Sequence, residues 1–363
     1  MQLSKEQLYL DLLTAYYCAR KGKTKKWYVK EFEKNLDENL RSLTDDIYNR
    51  QYIPSPFNVF VIKDPKIREI FAAVFRDRVV HHLYYNYVHE YFERTFIVDC
   101  YSCIKGRGTS YGIDRLRHHI ESCSLNYTKP CYILKLDIKS YFVNINRKIL
   151  LKEVLSKLDR FNKKFPSRLD LELLIYLSKE IILFDPTLNA IPVGNCSLWG
   201  LVPEHKSLYN APEDCGLPLG NLTSQLFSNI YLNILDQFII KRILHIKHYG
   251  RYVDDFFLVC NSKYVLRKLI PIIENFLKLN LQLQINHGKI IIRNALFGIE
   301  FLGAFLKQGR TYISNQTLRR LGKNKQNNNK DSILSYFSVT GLLSRYNSFS
   351  IKKDYFIERN LQS

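Results

Sequence analysis

Three carboxylates stand where they could do chemistry. Asp254 and Asp255 are adjacent inside His248-Tyr249-Gly250-Arg251-Tyr252-Val253-Asp254-Asp255-Phe256-Phe257-Leu258-Val259-Cys260, two short apolar runs of β type that meet at the acids. Neighbouring side chains of a regular strand point to opposite faces, so two adjacent acids serve one site only where the backbone turns. A strand-turn-strand supplies that bend. Asp is also an ordinary turn residue, so the pair gains meaning only with a third carboxylate at the end of another strand. Cys131-Tyr132-Ile133-Leu134-Lys135-Leu136 reads as that strand, and Asp137 follows it at once. Oxygen ligands converging from separate elements are what hard divalent cations select, and two such cations can clamp an in-line phosphoryl transfer.

The elements that must position these acids follow from periodicity. Ser4 with Gln7 makes a capping-box pattern ahead of Leu8, Leu12, Leu13, Tyr16 and Tyr17, so the chain opens with a helix. Phe32, Leu36, Leu40, Leu43 and Ile47 step by four and three along one helical face, which Pro54 and Pro56 close. Phe57 to Ile62 is β-like, Asp64-Pro65 is a turn, and Arg68 to Glu93 reads as mostly helical. A turn at Gly106-Arg107-Gly108 precedes another helix. Leu-rich helices and a loop-rich insertion with Pro186, Pro192, Pro203 and Pro212 fill Asn146 to Cys215. Gly216-Leu217-Pro218-Leu219-Gly220 then feeds a helix through Leu222, Leu226, Ile230, Ile234 and Phe238. Beyond the acidic hairpin come a helix over Leu266 to Leu277, a strand by alternation at Leu281, Leu283 and Ile285, a turn at Asn286-His287-Gly288, and a β run from Lys289 to Ile292. Strand, helix, hairpin, helix, strand is the order of a split βαβ sheet backed by helices. Asn324 to Asp331 is a basic linker, followed by a helical module from Ile333 to about Tyr346.

The 363-residue chain carries 54 Lys and Arg against 34 Asp and Glu, a net charge of +20, which favours a polyanionic partner. Without a long basic amphipathic helix, nucleic acid is the better expectation than an anionic membrane. The 25 Tyr and 22 Phe recur mostly at core-like spacings. Eight scattered cysteines suggest reduced thiols in a cytoplasmic protein. Cys100, Cys103, His118, His119 and Cys123 could be drawn as a zinc site, but the second ligand pair lacks the usual spacing. No apolar run is long enough to span a bilayer.

A strand-end Asp137, a Gly loop before a helix and a Tyr-x-Asp-Asp hairpin, in this order, resemble the palm of a reverse transcriptase. The resemblance runs from Lys63-Asp64-Pro65-Lys66-Ile67-Arg68-Glu69-Ile70 and Phe75-Arg76-Asp77-Arg78-Val79-Val80-His81-His82 to the carboxyl-terminal module. Lys206-Ser207-Leu208 and Gly216-Leu217-Pro218-Leu219-Gly220-Asn221-Leu222-Thr223-Ser224-Gln225 are most similar to the enzymes of diversity-generating retroelements. Group II intron enzymes typically carry Gln at the position of Leu219 and Pro at that of Gln225.

The resemblance implies an α+β right-hand polymerase fold with fingers, palm and helical thumb: a helical extension over 1–56, fingers over 57–130, palm over 131–305 with an insertion at about 147–215, and thumb over 306–363. It implies an RNA-directed DNA polymerase of a prokaryotic cytoplasm that takes dNTPs, a template RNA and its cDNA. It also implies a small, helical, oligomeric accessory protein. Asp137, Asp254 and Asp255, with the Ile138 carbonyl, would ligate two Mg²⁺, and Lys289 would protonate pyrophosphate. Arg68 with Lys63 or Lys66 would grip the triphosphate, beside Leu219 and Gly220. Phe142 would exclude a ribose 2′-hydroxyl, although a core Phe would look the same in sequence. Lys105 and Arg107 would meet the template backbone. Ser224, Gln225, Tyr252 and the Phe297–Gly303 hairpin, with Phe301 and Gly303, would line template and primer. Rival readings are a retron-type or antiviral-defence reverse transcriptase and a catalytically idle nucleic-acid scaffold.

Overall fold

The computed structural model describes residues 3–63, 66–165, 170–243, 246–319 and 346–347. Its described residues fall into two compact units: one of 1–98, 138–238 and 273–285, the other of 99–137, 239–272 and 286–363. In chain order the elements are helices α1 (Lys5–Arg20), α2 (Trp27–Lys34) and α3 (Leu36–Tyr48), strands β1 (Asn58–Ile62) and β2 (Arg68–Ala72), and helices α4 (Phe75–Arg94) and α5 (Thr109–Ser124). Strand β3 (Tyr132–Asp137), the short helix α6 (Tyr141–Asn144), helices α7 (Arg147–Lys164) and α8 (Leu171–Leu183), and the two-residue β4 (Ile191–Pro192) follow. Helix α9 (Leu222–Arg242), strands β5 (His248–Tyr252) and β6 (Asp255–Cys260), helix α10 (Lys263–Leu281), and strands β7 (Ile291–Asn294), β8 (Ile299–Phe301), β9 (Ala304–Lys307) and β10 (Arg310–Ile313) complete them.

In the first unit local chemistry sets the helix starts. Ser4 Oγ accepts from the Gln7 N–H, Asn146 Oδ1 from Ile149 and Asp170 Oδ1 from Leu173, capping α1, α7 and α8. The single helix expected across Phe32 to Ile47 is broken at Asn35, whose φ of −124° leaves the helical region. Asn39 Nδ2 donates to the Phe32 carbonyl across the break.

The helical reading of Arg68 onward is corrected as well. Residues 68–72 are β2, paired antiparallel with β1 from Asn58↔Ala72 to Ile62↔Arg68, and helix begins only at Phe75. The strand's inward residues include the acid Glu69, which hides the apolar alternation. Parallel β4 lies on the other side of β1. Phe57, Val59, Phe71, Ala73, Val143 and Leu208 form the local core.

The alternation at Leu281, Leu283 and Ile285 is likewise not a strand. Leu281 ends α10, Gln282 turns with φ of 53°, and Ile285 makes only an isolated bridge with Ile138. Burial at every second residue across a helix-ending turn imitates strand periodicity.

The second unit holds the four-stranded antiparallel sheet β5-β6-β3-β7, the split arrangement expected from the order of elements. The β run after the Gly288 turn starts two residues later than its Lys289 pattern suggests, at Ile291. Helix α5 packs on β5 and β6, closing a core around Tyr101, Ile113, Leu116, Ile133, Phe257, Val259 and Phe301. A separate three-stranded meander, β8-β9-β10, follows. The Asp64-Pro65 turn, the linker at 324–331 and the module from 333 lie outside the described residues, save for Tyr346. No helix among the described residues is long and apolar enough to cross a membrane.

Candidate active site

Strand register brings the three acidic residues to neighbouring backbone positions in the second unit. Asp137, the last residue of β3, pairs directly with Asp255, the first of β6, and Tyr252 at the end of β5 pairs with Asp255 across the hairpin. Val253 and Asp254 make the turn between them. Val253 has φ of 55°, a left-handed conformation that a β-branched residue adopts only when its surroundings enforce it. Here both of its peptide groups are held. Its N–H donates to Ser102 Oγ at 3.1 Å, and its carbonyl accepts from Arg251 Nη1 at 2.9 Å. Arg251 is fully buried, and its backbone pairs with the Asp99–Tyr101 strap through Arg251 N–H to Asp99 O and Tyr101 N–H to Arg251 O. Asp99 is fixed by Arg115, with contacts of 2.6 and 3.0 Å, and by the Tyr101 hydroxyl at 2.9 Å. Gly250 is required by close approach, since a Cβ there would run into Tyr101 Oη and lie 2.6 Å from Phe257 Cζ.

Charge in the site is heavily perturbed. Burial first, and Asp137 second, push the Asp254 carboxyl up to about 6. Burial also raises Asp255, opposed by Lys135. Asp255 Oδ1 is buried without a hydrogen-bond partner among the described residues. Two ammonium groups offset the acids: Lys289 Nζ lies 2.8 Å from Asp137 Oδ2, and Lys135 Nζ 3.3 Å from Asp255 Oδ2. Asn286 holds the strand end twice, N–H to Asp137 O at 2.8 Å and Nδ2 to Asp137 Oδ1 at 3.2 Å. Among the described residues no three His, Cys, Asp or Glu side chains converge as a ready-made metal centre. Two of the three acids are instead turned onto lysines. The donor set nonetheless suits a hard cation: carboxylate oxygens only, one of them orphaned, in a place where ionisation is costly without added positive charge.

The other expected site residues divide between the units. In the first, the Gly216–Gly220 loop is stitched to β2. Phe71 N–H donates to Leu219 O at 3.0 Å, and Asn221 bridges to Ala73 N–H and Phe71 O. Gly220 has φ of +117°, and a Cβ would lie 2.9 Å from Ile70 Cγ2, so only glycine suits the position. Leu219 and Gly220 are thus held against the strand that begins with the exposed Arg68. The half-buried Phe142 joins the same loop, its carbonyl accepting from Leu217 N–H at 2.8 Å. Buried Glu69 ties in Ser207, whose Oγ donates at 2.7 Å, and Leu208, whose N–H donates at 2.9 Å. The Lys206-Ser207-Leu208 motif is therefore a fastening for the β1–β2 hairpin.

Lys63 and Lys66 are exposed, Ile138 and Ser224 buried, and Gln225 exposed. In the second unit Lys105 is exposed, whereas Arg107 Nη1 donates to Cys100 O at 2.9 Å and Tyr252 is half-buried. Phe301 lies in the core, edge-on to Phe257 at 5.3 Å and 5.9 Å from the Lys135 ammonium, so its ring does not face solvent. Gly303 is exposed with φ of +83°. Cys100 is buried and Cys103 exposed, while His119 is engaged by His248 at 3.1 Å and Asp99 at 3.2 Å. Sequence reasoning did not single out Ser102, Arg251, Lys135, Asn286 or Glu69. Arg251, Lys135, Asn286 and Glu69 lie inside the motifs quoted above, whereas Ser102 carries no such signal.

A family profile described as "Reverse transcriptase (RNA-dependent DNA polymerase)" matches residues 63–306, which contain all of these carboxylates. The chain belongs to the reverse transcriptase family. Protein YkfC of Escherichia coli (strain K12) is 24% identical to this reverse transcriptase over 309 residues, covering 76% of this chain and 73% of that protein. Among solved structures it is similar to apo telomerase from Candida tropicalis truncated from the C-terminal domain, at TM-score 0.51 and 13% identity, covering 72% of this chain. It is also similar to Candida albicans telomerase in complex with a fragment of telomeric RNA, at TM-score 0.50 and 13% identity, covering 74% of this chain. The chain spans 56% and 46% of the lengths of those two telomerase chains. At such identity the likeness is one of fold, and the fold is the α+β right-hand polymerase class expected from the palm motifs.

Proposed function

We propose that this reverse transcriptase copies a retroelement's own RNA into DNA, and that the element is a diversity-generating one whose cDNA carries errors opposite template adenines. The observation that carries the polymerase reading is the β3–β6 register, which sets Asp137 opposite Asp255 with Asp254 in the adjoining turn. Asp137, Asp254 and Asp255 would hold two Mg²⁺, with the Ile138 carbonyl as a further ligand. When bound, the cations activate the primer 3′-hydroxyl and neutralise the triphosphate.

The chain's own side chains do the rest. Lys289, an ammonium already beside the acids, is assigned the proton for the leaving pyrophosphate. Arg68 with Lys63 or Lys66 supplies charge-assisted hydrogen bonds to the triphosphate. Phe142 bars the 2′-hydroxyl, and Leu219 with Gly220 offers shape to the nucleotide. Lys105 and Arg107 neutralise template phosphates. Ser224, Gln225, Tyr252 and the hairpin of Phe301 and Gly303 position template and primer, the last through backbone, since the Phe301 ring is in the core. Fingers at 57–130, palm at 131–305 and thumb from 306 belong to this proposal, as do the cytoplasmic setting and the oligomeric accessory protein. Leu219, in a loop otherwise built for close backbone approach, supports the retroelement class.

The test is primer extension on one defined RNA with dNTPs and Mg²⁺, followed by sequencing of the product. DNA synthesis with substitutions concentrated opposite adenine is expected. No incorporation would overturn the polymerase reading, whereas synthesis with an even error spectrum would overturn only the retroelement class.

A further inference from the structure

The turn joining α1 to α2 lies before the residues matched by the family, and the assignments above leave it unused. Residues 20–30 carry six Lys and Arg and no Asp or Glu. The turn is ordered by its own backbone, Lys23 N–H to Arg20 O and Lys26 N–H to Lys23 O, both at 2.9 Å. Lys21, Lys25, Lys26 and Lys30 are exposed along it. The nearest acids are already engaged: Glu33 takes Arg20 and the Tyr16 hydroxyl, and Glu31 takes Lys34. In the middle stands Trp27, 78% exposed. An indole left that open leaves a large aromatic face available to a ligand.

Trp27 is supported from behind. It meets Tyr28 edge-on at 6.0 Å, and Tyr28 is fixed by the Arg78 guanidinium, 5.1 Å above its ring, with Arg78 Nε anchored on the Ala73 carbonyl at 2.7 Å. Val29, the next apolar residue of α2, is fully buried, so Trp27 is the exposed aromatic ring of residues 20–30, with Leu10 and Tyr17 the exposed large apolar side chains of the preceding helix. An isolated ring flanked by flexible point charges is the pattern that stacks one base while neutralising the phosphates on either side.

We propose that the α1–α2 turn binds single-stranded RNA, with one base on Trp27 and the backbone on Lys21, Lys25, Lys26 and Lys30. The site rests on the reading of the protein as an enzyme that copies RNA, and gives it a hold on RNA through residues that the assignments above do not use. Lysine rather than arginine, and a ring that meets the base through its π face, make the binding indifferent to sequence.

The experiment measures binding of a fluorescein-labelled single-stranded RNA by the full chain, as Kd against salt, for wild type, Trp27→Ala, Trp27→Phe and the triple variant Lys21→Glu/Lys25→Glu/Lys26→Glu. Trp27→Ala should weaken binding about tenfold, with Trp27→Phe in between, as expected for loss of one base stack. The triple variant should flatten the slope of log K against log salt by about two, at roughly 0.7 for each phosphate no longer neutralised by a lysine. Extension of a pre-annealed primer at saturating concentration should keep its kcat in all variants. Wild-type affinity and salt slope in both Trp27→Ala and the triple variant would overturn the proposal. So would Trp27-dependent binding to phosphatidylserine vesicles without any change in RNA binding. Failure of the wild type to extend any primer would strike the polymerase reading instead, and leaves the binding test intact.

Discussion

The Asp hairpin of the second unit and the Leu219 loop of the first are both short turns held in unusual backbone, and they are held differently. The hairpin is fixed by charged and hydroxyl side chains: its own Arg251, with Ser102 from outside it, on the Val253 peptides, and Lys289 and Lys135 on the acids. The loop is fixed by main chain and by a glycine that no other residue could replace, with Asn221 acting as a surrogate backbone. The first arrangement keeps carboxyls where burial makes their ionisation costly, as the proposed cations would require. The second presents shape, and Leu219, which we propose faces the nucleotide, has no polar atom beyond its backbone. Substitutions in the two places should therefore fail in different ways.

The largest effect is expected at the acids. Asp254→Asn should lower primer extension by on the order of a thousandfold or more, because an amide is a poor ligand for a hard cation. It should melt no lower than wild type, since it removes one of three crowded negative charges. RNA affinity, measured in the same preparation, should be unchanged. Retained extension would sink the role of the hairpin as the charge-receiving site.

Next in size is a fastening of the first unit. Glu69→Ala strips the buried partner from Ser207 Oγ and the Leu208 N–H, and groups left unsatisfied in that way cost about 1–3 kcal/mol each. A large fall in melting temperature is expected. If melting barely moves, the Ser207–Leu208 motif is not what secures the β1–β2 hairpin.

Ser102→Ala tests the clamp on the hairpin with a smaller perturbation. It leaves the Val253 N–H without its acceptor, a cost of about 1–3 kcal/mol, and frees a strained turn to relax. Because acids displaced by about 1 Å lose on the order of a hundredfold in rate, kcat should fall tenfold to a hundredfold with little change in the KM for dNTP. Ser102→Thr, which restores the acceptor, should recover most of it. A loss confined to stability would make Ser102 a packing residue only.

The acids were legible in the sequence because turn chemistry and apolar runs are local signals, and Asp137, Asp254 and Asp255 each end or interrupt such a run. Ser102 was not, since nothing within the strap says which strand it will cross. Strand β2 was misread because its inward side chain at Glu69 is an acid whose partners lie some 140 residues on. The false strand at Leu281 to Ile285 shows the converse: burial at every second residue arose from a helix ending on Gln282 in left-handed conformation. Single-residue breaks such as Asn35 fall below what periodicity can resolve, because the same apolar face continues on both sides.

The smallest effect, and the sharpest test of the comparison, concerns Leu219. A Gln at this position could donate and accept hydrogen bonds around an incoming nucleotide, whereas Leu offers only shape and dispersion. The loop geometry would tolerate either, since the Leu219 contribution to holding β2 is its carbonyl, bonded to Phe71 N–H, and the half-exposed side chain is not needed for it. Leu219→Gln should therefore leave folding and kcat near wild type and change only discrimination between right and wrong bases. About 1.4 kcal/mol of regained difference corresponds to a tenfold lower error rate. The measurement is the count of cDNA substitutions by template base for both proteins on one RNA, with the decrease expected chiefly opposite adenine. Matching spectra at comparable activity would show that the loop contributes shape without selectivity, and would remove the main support for the diversity-generating class.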